Sequence, residues 1–180
     1  TWGNTIPEMS APTIPFMFSE LGRISKFPGS EAARFLDGLT ARRGVTSIAW
    51  LFTTRASIFT SGRKPLVNVA DFQGVKIRGL NPMIDSGLRA AGAAPANTPA
   101  PEVTQALATG VLDAGLTDVS AAVSRRYYEV QKFGTVTPFF CVFTQLYVNP
   151  RWLQGLAPAQ RQAIGDAAKA AEAEAIPLTE

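Results

Sequence analysis

Arg78 is the side chain in this sequence best suited to chemistry on a small molecule. It lies in residues 75–80 (VKIRGL), where Val75, Ile77 and Gly79 alternate with Lys76, Arg78 and Leu80, the two-residue period of a strand. Asn81-Pro82 follows directly and marks a helix start, since Asn accepts from free N–H groups and Pro fits the first turn. An arginine at the end of a central strand stands where ligands collect in open α/β sheets. Its guanidinium grips a carboxylate through two parallel N–H···O bonds. The residues alone also allow a surface arginine that closes a sheet edge.

Most other chemistries are excluded. The sequence has no histidine, which removes Ser-His-Asp, Cys-His and His-ligated metal mechanisms. Cys141 is the single cysteine, so there is no intramolecular disulfide and no CxxC metal or redox motif. It reads as a buried apolar thiol, and so little cysteine fits cytoplasm and periplasm alike. Asp113 and Asp118 stand five apart across a strand-to-helix turn, a spacing without special geometry, and no phosphate-binding glycine loop appears. The chain is therefore read as a non-enzyme without metal or cofactor.

The 180 residues carry 17 Lys and Arg against 14 Asp and Glu, a net charge of +3. The basic residues fall in pairs such as Arg42-Arg43, Arg63-Lys64 and Arg125-Arg126, not in runs, which argues against nucleic acid as a partner. With 46% hydrophobic and 17% charged residues the chain can bury a core. No apolar stretch approaches the roughly 18 residues that span a bilayer. The chain opens at Thr1 without a Met, a basic segment or an apolar leader, so any signal peptide is expected to lie outside it.

The elements that must position Arg78 follow from pattern. Pro7, Pro12 and Pro15 among apolar residues predict an extended, buried connection over residues 1–18 and no helix. A short helix is expected at 19–24, and Ser30 reads as the cap of one that reaches Arg43 and stops at Gly44. Strands are expected at 45–52, 57–61, 75–80 and 111–116, with a long apolar one at 139–148, buried on both faces or crossing between lobes. Helices are expected from Asn81 to Ala91, from Pro101 to Thr109, from an Asp118 cap to Tyr128, from Asn149 to Gly155, and from Pro158 to a stop before Pro177. This alternation predicts an α/β layer with a mostly parallel sheet.

The order of motifs then resembles a known family. Pro15-Phe16-Met17-Phe18 is similar to a Pro-Phe-Leu-Phe segment, and residues 71–78 (DFQGVKIR) to Asp-Leu-Lys-Gly-Leu-Lys-Ile-Arg. Residues 107–113 (LATGVLD) resemble Leu-Gln-Thr-Gly-Val-Val-Asp, and residues 127–132 (YYEVQK) resemble Phe-Tyr-Glu-Val-Gln-Lys. Asn149 to Trp152 and Leu156 to Gln160 resemble Asn-x-x-Trp and Leu-Ser-Pro-Glu-Gln helix starts. Together and in order, over essentially the whole chain, they resemble the DctP-type extracytoplasmic solute-binding proteins of TRAP (tripartite ATP-independent periplasmic) transporters.

The resemblance implies a two-lobed α/β fold, type II-like among periplasmic binding proteins, and incomplete because the chain is a fragment. Residues 1–56 and 142–180 would belong to lobe I and 57–141 to lobe II, with crossing strands near Ser57 and 139–144. It implies a periplasmic protein that captures an organic acid between its lobes and delivers it to TRAP membrane permease subunits. A ligand-sensing receptor of the same fold, acting on a signalling partner, is the alternative.

Within that family Arg78 would anchor the ligand carboxylate. The chain departs from the commoner pattern at four places: Ser57, with Arg55 two residues away, where a second arginine is frequent; Ala100 for an aromatic; Leu116-Thr117 for Glu-Asn; and Phe139 for a histidine. Ser57, Thr117 and Asp118 remain as hydrogen-bonding candidates, Asp118 also as a helix cap. Trp50, Phe52 and Phe140 would line the site or pack the core. Fewer polar partners imply a ligand with one carboxylate and a larger or more apolar body, since an unpaired buried polar group costs about 1–3 kcal/mol.

Overall fold

The structure, a computed structural model, describes residues 2–179. In chain order its strands are β1 (Thr46–Thr54), β2 (Ser57–Ser61), β3 (Lys76–Gly79), β4 (Ala94–Asn97), β5 (Ala114–Asp118), β6 (Phe133–Thr137) and β7 (Val142–Val148). Its helices are α1 (Leu21–Ile24), α2 (Glu31–Ala41), α3 (Pro82–Ala90), α4 (Val103–Ala108), α5 (Val119–Ser124), α6 (Pro150–Gly155) and α7 (Pro158–Thr179). The start of the chain differs from the extended connection expected there. It winds into 3-10 turns at Trp2–Asn4 and Pro7–Thr13. Pro7 sits in the first turn, where its missing N–H is not needed; Thr1 lies outside the described residues.

Two compact units divide the chain. One joins residues 2–17 to Arg55–Cys141, and the other joins Phe18–Thr54 to residues 142–179. The lobe boundaries read from the resemblance placed residues 1–56 together, whereas residues 2–17 and Arg55–Ala56 group with 57–141. Phe16 N donates to Phe139 O at 2.9 Å, and Asn81 Nδ2 donates to Thr13 Oγ1 at 3.1 Å, so this segment packs with the elements around β3.

The first unit is built on a five-stranded sheet of order β4-β3-β5-β2-β6. The sheet is mixed, which corrects the expectation of a mostly parallel one: β4, β3 and β5 run parallel, while β2 is antiparallel to both β5 and β6. Alternating strand and helix patterns describe local crossovers, and they do not show an earlier strand such as β2 inserted between two later ones. On one face Ile77, Leu116 and Phe59 are buried, and Phe59 meets the Phe72 and Phe139 rings edge-on at 5.0 Å each. On the other, α4 and α5 cover the sheet with Val103, Leu107, Leu112, Ala122 and Tyr127 packed toward Ile58.

In the second unit β1 and β7 pair antiparallel, from Thr46 opposite Val148 to Thr54 opposite Val142. β7 starts three residues later than expected and is half-buried, not buried on both faces. Along β1, Trp50 N donates to Glu172 Oε1 of α7 at 2.7 Å. α7 runs past Pro177 to Thr179, although Pro177 has no N–H to donate to the carbonyl four residues earlier. Ser30 caps α2 as expected, accepting from Ala33 N at 3.1 Å.

Candidate functional site

The sheet register of the first unit gathers the candidate residues at one rim. The C-terminal ends of β3, β5 and β6 and the N-terminal end of β2 lie there, with Asn97 beside Gly79, Asp118 beside Ser57, and Ser57 beside Thr137. Arg78 is the penultimate residue of β3, Thr117 and Asp118 end β5, and Ser57 begins β2. Arg55 precedes β2 by two residues, Phe139 follows β6 by two, and Ala100 follows β4 by three, opening a 3-10 turn. Strand alternation splits them between faces. Arg78 and Thr117 fall on the α5 side, and Ser57 and Asp118 on the opposite one.

Arg78 is only 8% exposed. Its Nη1 donates to the Leu116 carbonyl at 3.1 Å, while Nε is buried without a hydrogen-bond partner. Burial pushes the guanidinium pKa below the usual arginine value, and Arg125 adds to that; Tyr127 and Asp118 push it back up. A desolvated cation with donors to spare is a strong point of attachment for a carboxylate. The local sequence sets this arginine firmly, because Asn81 Oδ1 caps α3 by accepting from Met83 N and Ile84 N at 3.0 Å each, and Asp85 Oδ1 holds Leu80 N at 3.0 Å.

Several other candidates are already engaged. Ser57 Oγ donates to Thr137 O at 2.6 Å and accepts from Phe139 N at 3.0 Å and Phe140 N at 3.4 Å. Asp118 caps α5 through Ala121 N at 2.7 Å. Arg55 is partly buried, and its carbonyl takes the Ser57 N–H at 3.1 Å. Phe139 packs edge-on against Phe16 at 5.4 Å as well as against Phe59. Thr117 is buried and Ala100 half-buried. Trp50 belongs to the other unit, where its Nε1 donates to Asp37 Oδ1 at 2.9 Å and its ring meets Phe27 at 5.0 Å; this is the core alternative.

Reading by residue type passed over two contributors. The Leu116 carbonyl is a backbone group and leaves no mark in a sequence. Tyr127 stands in the segment 127–132 (YYEVQK), and only the fold places its ring over Gly115 of β5. Cys141 is buried. Among the described residues, no group of three or more His, Cys, Asp or Glu is placed to hold a metal ion, and no helix is long and apolar enough to cross a membrane.

The family described as bacterial extracellular solute-binding protein, family 7 (DctP), matches residues 1–180. The chain is 28% identical over 166 residues to the 2,3-diketo-L-gulonate-binding periplasmic protein YiaO of Escherichia coli, covering 92% of this chain and 50% of that protein. It superposes with a TM-score of 0.87 on a TRAP periplasmic solute-binding protein from Rhodoferax ferrireducens with bound malonate, at 25% identity, over 99% of this chain and 57% of that one. The ectoine-binding protein of the TeaABC TRAP transporter of Halomonas elongata gives the same TM-score of 0.87 at 26% identity, over 99% of this chain and 59% of that one. The chain spans about half the length of the curated relatives it matches. Its fold is that of the TRAP periplasmic solute-binding proteins, whose members are receptors for solutes and not enzymes, and the chain belongs to the bacterial extracellular solute-binding protein family 7, the DctP family.

Proposed function

We propose that this chain is the ligand-gripping part of an extracytoplasmic TRAP solute receptor, in which Arg78 binds the carboxylate of an organic acid for delivery to the membrane permease. The observation that carries the reading is Arg78 itself, 8% exposed at the strand-end rim with one donor on the Leu116 carbonyl. Malonate, 2,3-diketo-L-gulonate and ectoine, named for the three relatives above, share a carboxylate and differ elsewhere. That pattern fits a receptor whose fixed point is a guanidinium.

The remainder of the ligand is read from what surrounds the rim. Ser57 has its hydroxyl committed to the backbone, and Asp118 gives one carboxylate oxygen to the α5 cap. Phe139 and Phe16 contribute aromatic surface. The preferred ligand is accordingly a monoacid with an apolar or ring-shaped body, with Thr117 as its second hydrogen-bonding partner and Arg55 and Ala100 at its margins. A thermal-shift screen of the full-length protein tests this. Stabilisation by hydrophobic monoacids supports it; a response only to small dicarboxylates or sugar acids contradicts the ligand class.

A further inference from the structure

Four polar atoms of the first unit are buried without a hydrogen-bond partner: Thr60 Oγ1, Arg78 Nε, Tyr127 Oη and Gln131 Oε1. Their residues are between 1% and 9% exposed. Buried groups of this kind are rarely left unpaired, so four in one unit point to a shared arrangement.

The sheet register brings them together. Ile77 lies beside Ala114 and Thr60 beside Gly115, so Arg78, Gly115 and Thr60 follow one another across the α5 face. A Cβ on Gly115 would stand 2.7 Å from Thr60 Oγ1 and 3.2 Å from Tyr127 Cε2. The Tyr127 ring therefore lies over Gly115, the residue that separates Arg78 from Thr60. Thr60, Tyr127 and Gln131 also line one cavity of about 210 Å³, with Ile58 and Ala122 in its apolar wall. Of the neighbours that support the Arg78 charge against burial, Tyr127 contributes most.

Donor counting then assigns the roles. Arg78 Nε–H can only donate, whereas a tyrosine hydroxyl carries one donor and two acceptor sites. Gln131 Nε2 is already given to the Val130 carbonyl at 3.0 Å, which leaves its Oε1 as an acceptor.

We propose that Tyr127 is a positioning residue for Arg78: its hydroxyl accepts from Arg78 Nε–H. With Nη1 tied to Leu116 O and Nε tied to Tyr127, the plane of the guanidinium is fixed and three of its five N–H groups stay available. The use of those three rests on the carboxylate reading above; the Tyr127 contact does not.

The test uses the full-length protein without added ligand. The Arg78 Nε–H signal is assigned in a side-chain 1H–15N spectrum by its loss in Arg78→Lys. In Tyr127→Phe, which keeps the ring, its exchange with solvent should quicken about tenfold, the equivalent of one lost hydrogen bond. Unchanged exchange overturns the positioning role, even if the melting temperature falls, since a purely structural tyrosine would affect stability alone. A crystal structure of the wild-type protein is the second measurement: Tyr127 Oη within about 3.2 Å of Arg78 Nε supports the proposal, and another partner on Nε overturns it. Neither measurement reads ligand binding, so a failed carboxylate assignment and a failed positioning role are separable.

Discussion

The Ser57 hydroxyl accepts the Phe139 backbone N–H at 3.0 Å, across 82 residues of sequence. The same oxygen donates to Thr137 O and accepts from Phe140 N, so its donor and both lone pairs are spent. It turns the chain out of β6 and fixes Phe139 at the rim where Arg78 lies.

Ser57→Ala should therefore act on stability. Two buried backbone N–H groups lose their acceptor, and about 1–3 kcal/mol of unfolding free energy should go with them. Urea denaturation of the full-length protein checks this. A variant as stable as wild type but weaker in ligand binding would mean that the hydroxyl serves the ligand instead.

Gly115→Ala should also destabilise. The new Cβ would press on the short Thr60 side chain at 2.7 Å and on the Tyr127 ring at 3.2 Å, and overpacking of this kind costs about 1–3 kcal/mol. An unchanged denaturation midpoint would show that the layer between β5 and Tyr127 is loose.

Trp50→Phe separates core from site. The variant keeps an aromatic ring against Phe27 but loses the bond to Asp37, so stability should fall by about 1 kcal/mol while ligand affinity stays at the wild-type value. A selective loss of affinity would return Trp50 to the binding residues.

Asp71 gives a pH prediction. The Asn68 backbone N–H, the Lys64 ammonium and the Val67 N–H hold its carboxyl down to about 2 from the ordinary 3.8. Because the folded value is the lower one, its contribution to stability is present above pH 3.8 and is lost as pH falls through about 2. An NMR titration reads the value directly. Lys64→Ala should raise it only part of the way, since the Asn68 bond is the larger cause; a full return to 3.8 would contradict that ranking.

Much of this arrangement is legible in the residues. Asn81-Pro82 announced the α3 start, and the VKIRGL alternation placed Arg78 at a strand end, because caps and two-residue periods are local signals. The antiparallel insertion of β2 was not legible, since pairing between β2 and β6 joins residues 72 to 80 apart and depends on no local pattern. β6 itself (FGTVT) carries a glycine and is half-exposed, so its periodicity is weak. The engagement of Ser57 and the place of Tyr127 over Gly115 are products of that same long-range register.

In the proposed receptor Arg78 holds the ligand through its carboxylate. Isothermal titration calorimetry of full-length wild type and Arg78→Ala, with the organic acid that stabilises the wild type most, tests it directly. Removing a desolvated guanidinium from its carboxylate should weaken binding by about 2–5 kcal/mol, roughly thirtyfold to several thousandfold, with Arg78→Lys between the two because an ammonium cannot make the paired bonds. Wild-type affinity in a folded Arg78→Ala protein would show that another group holds the carboxylate.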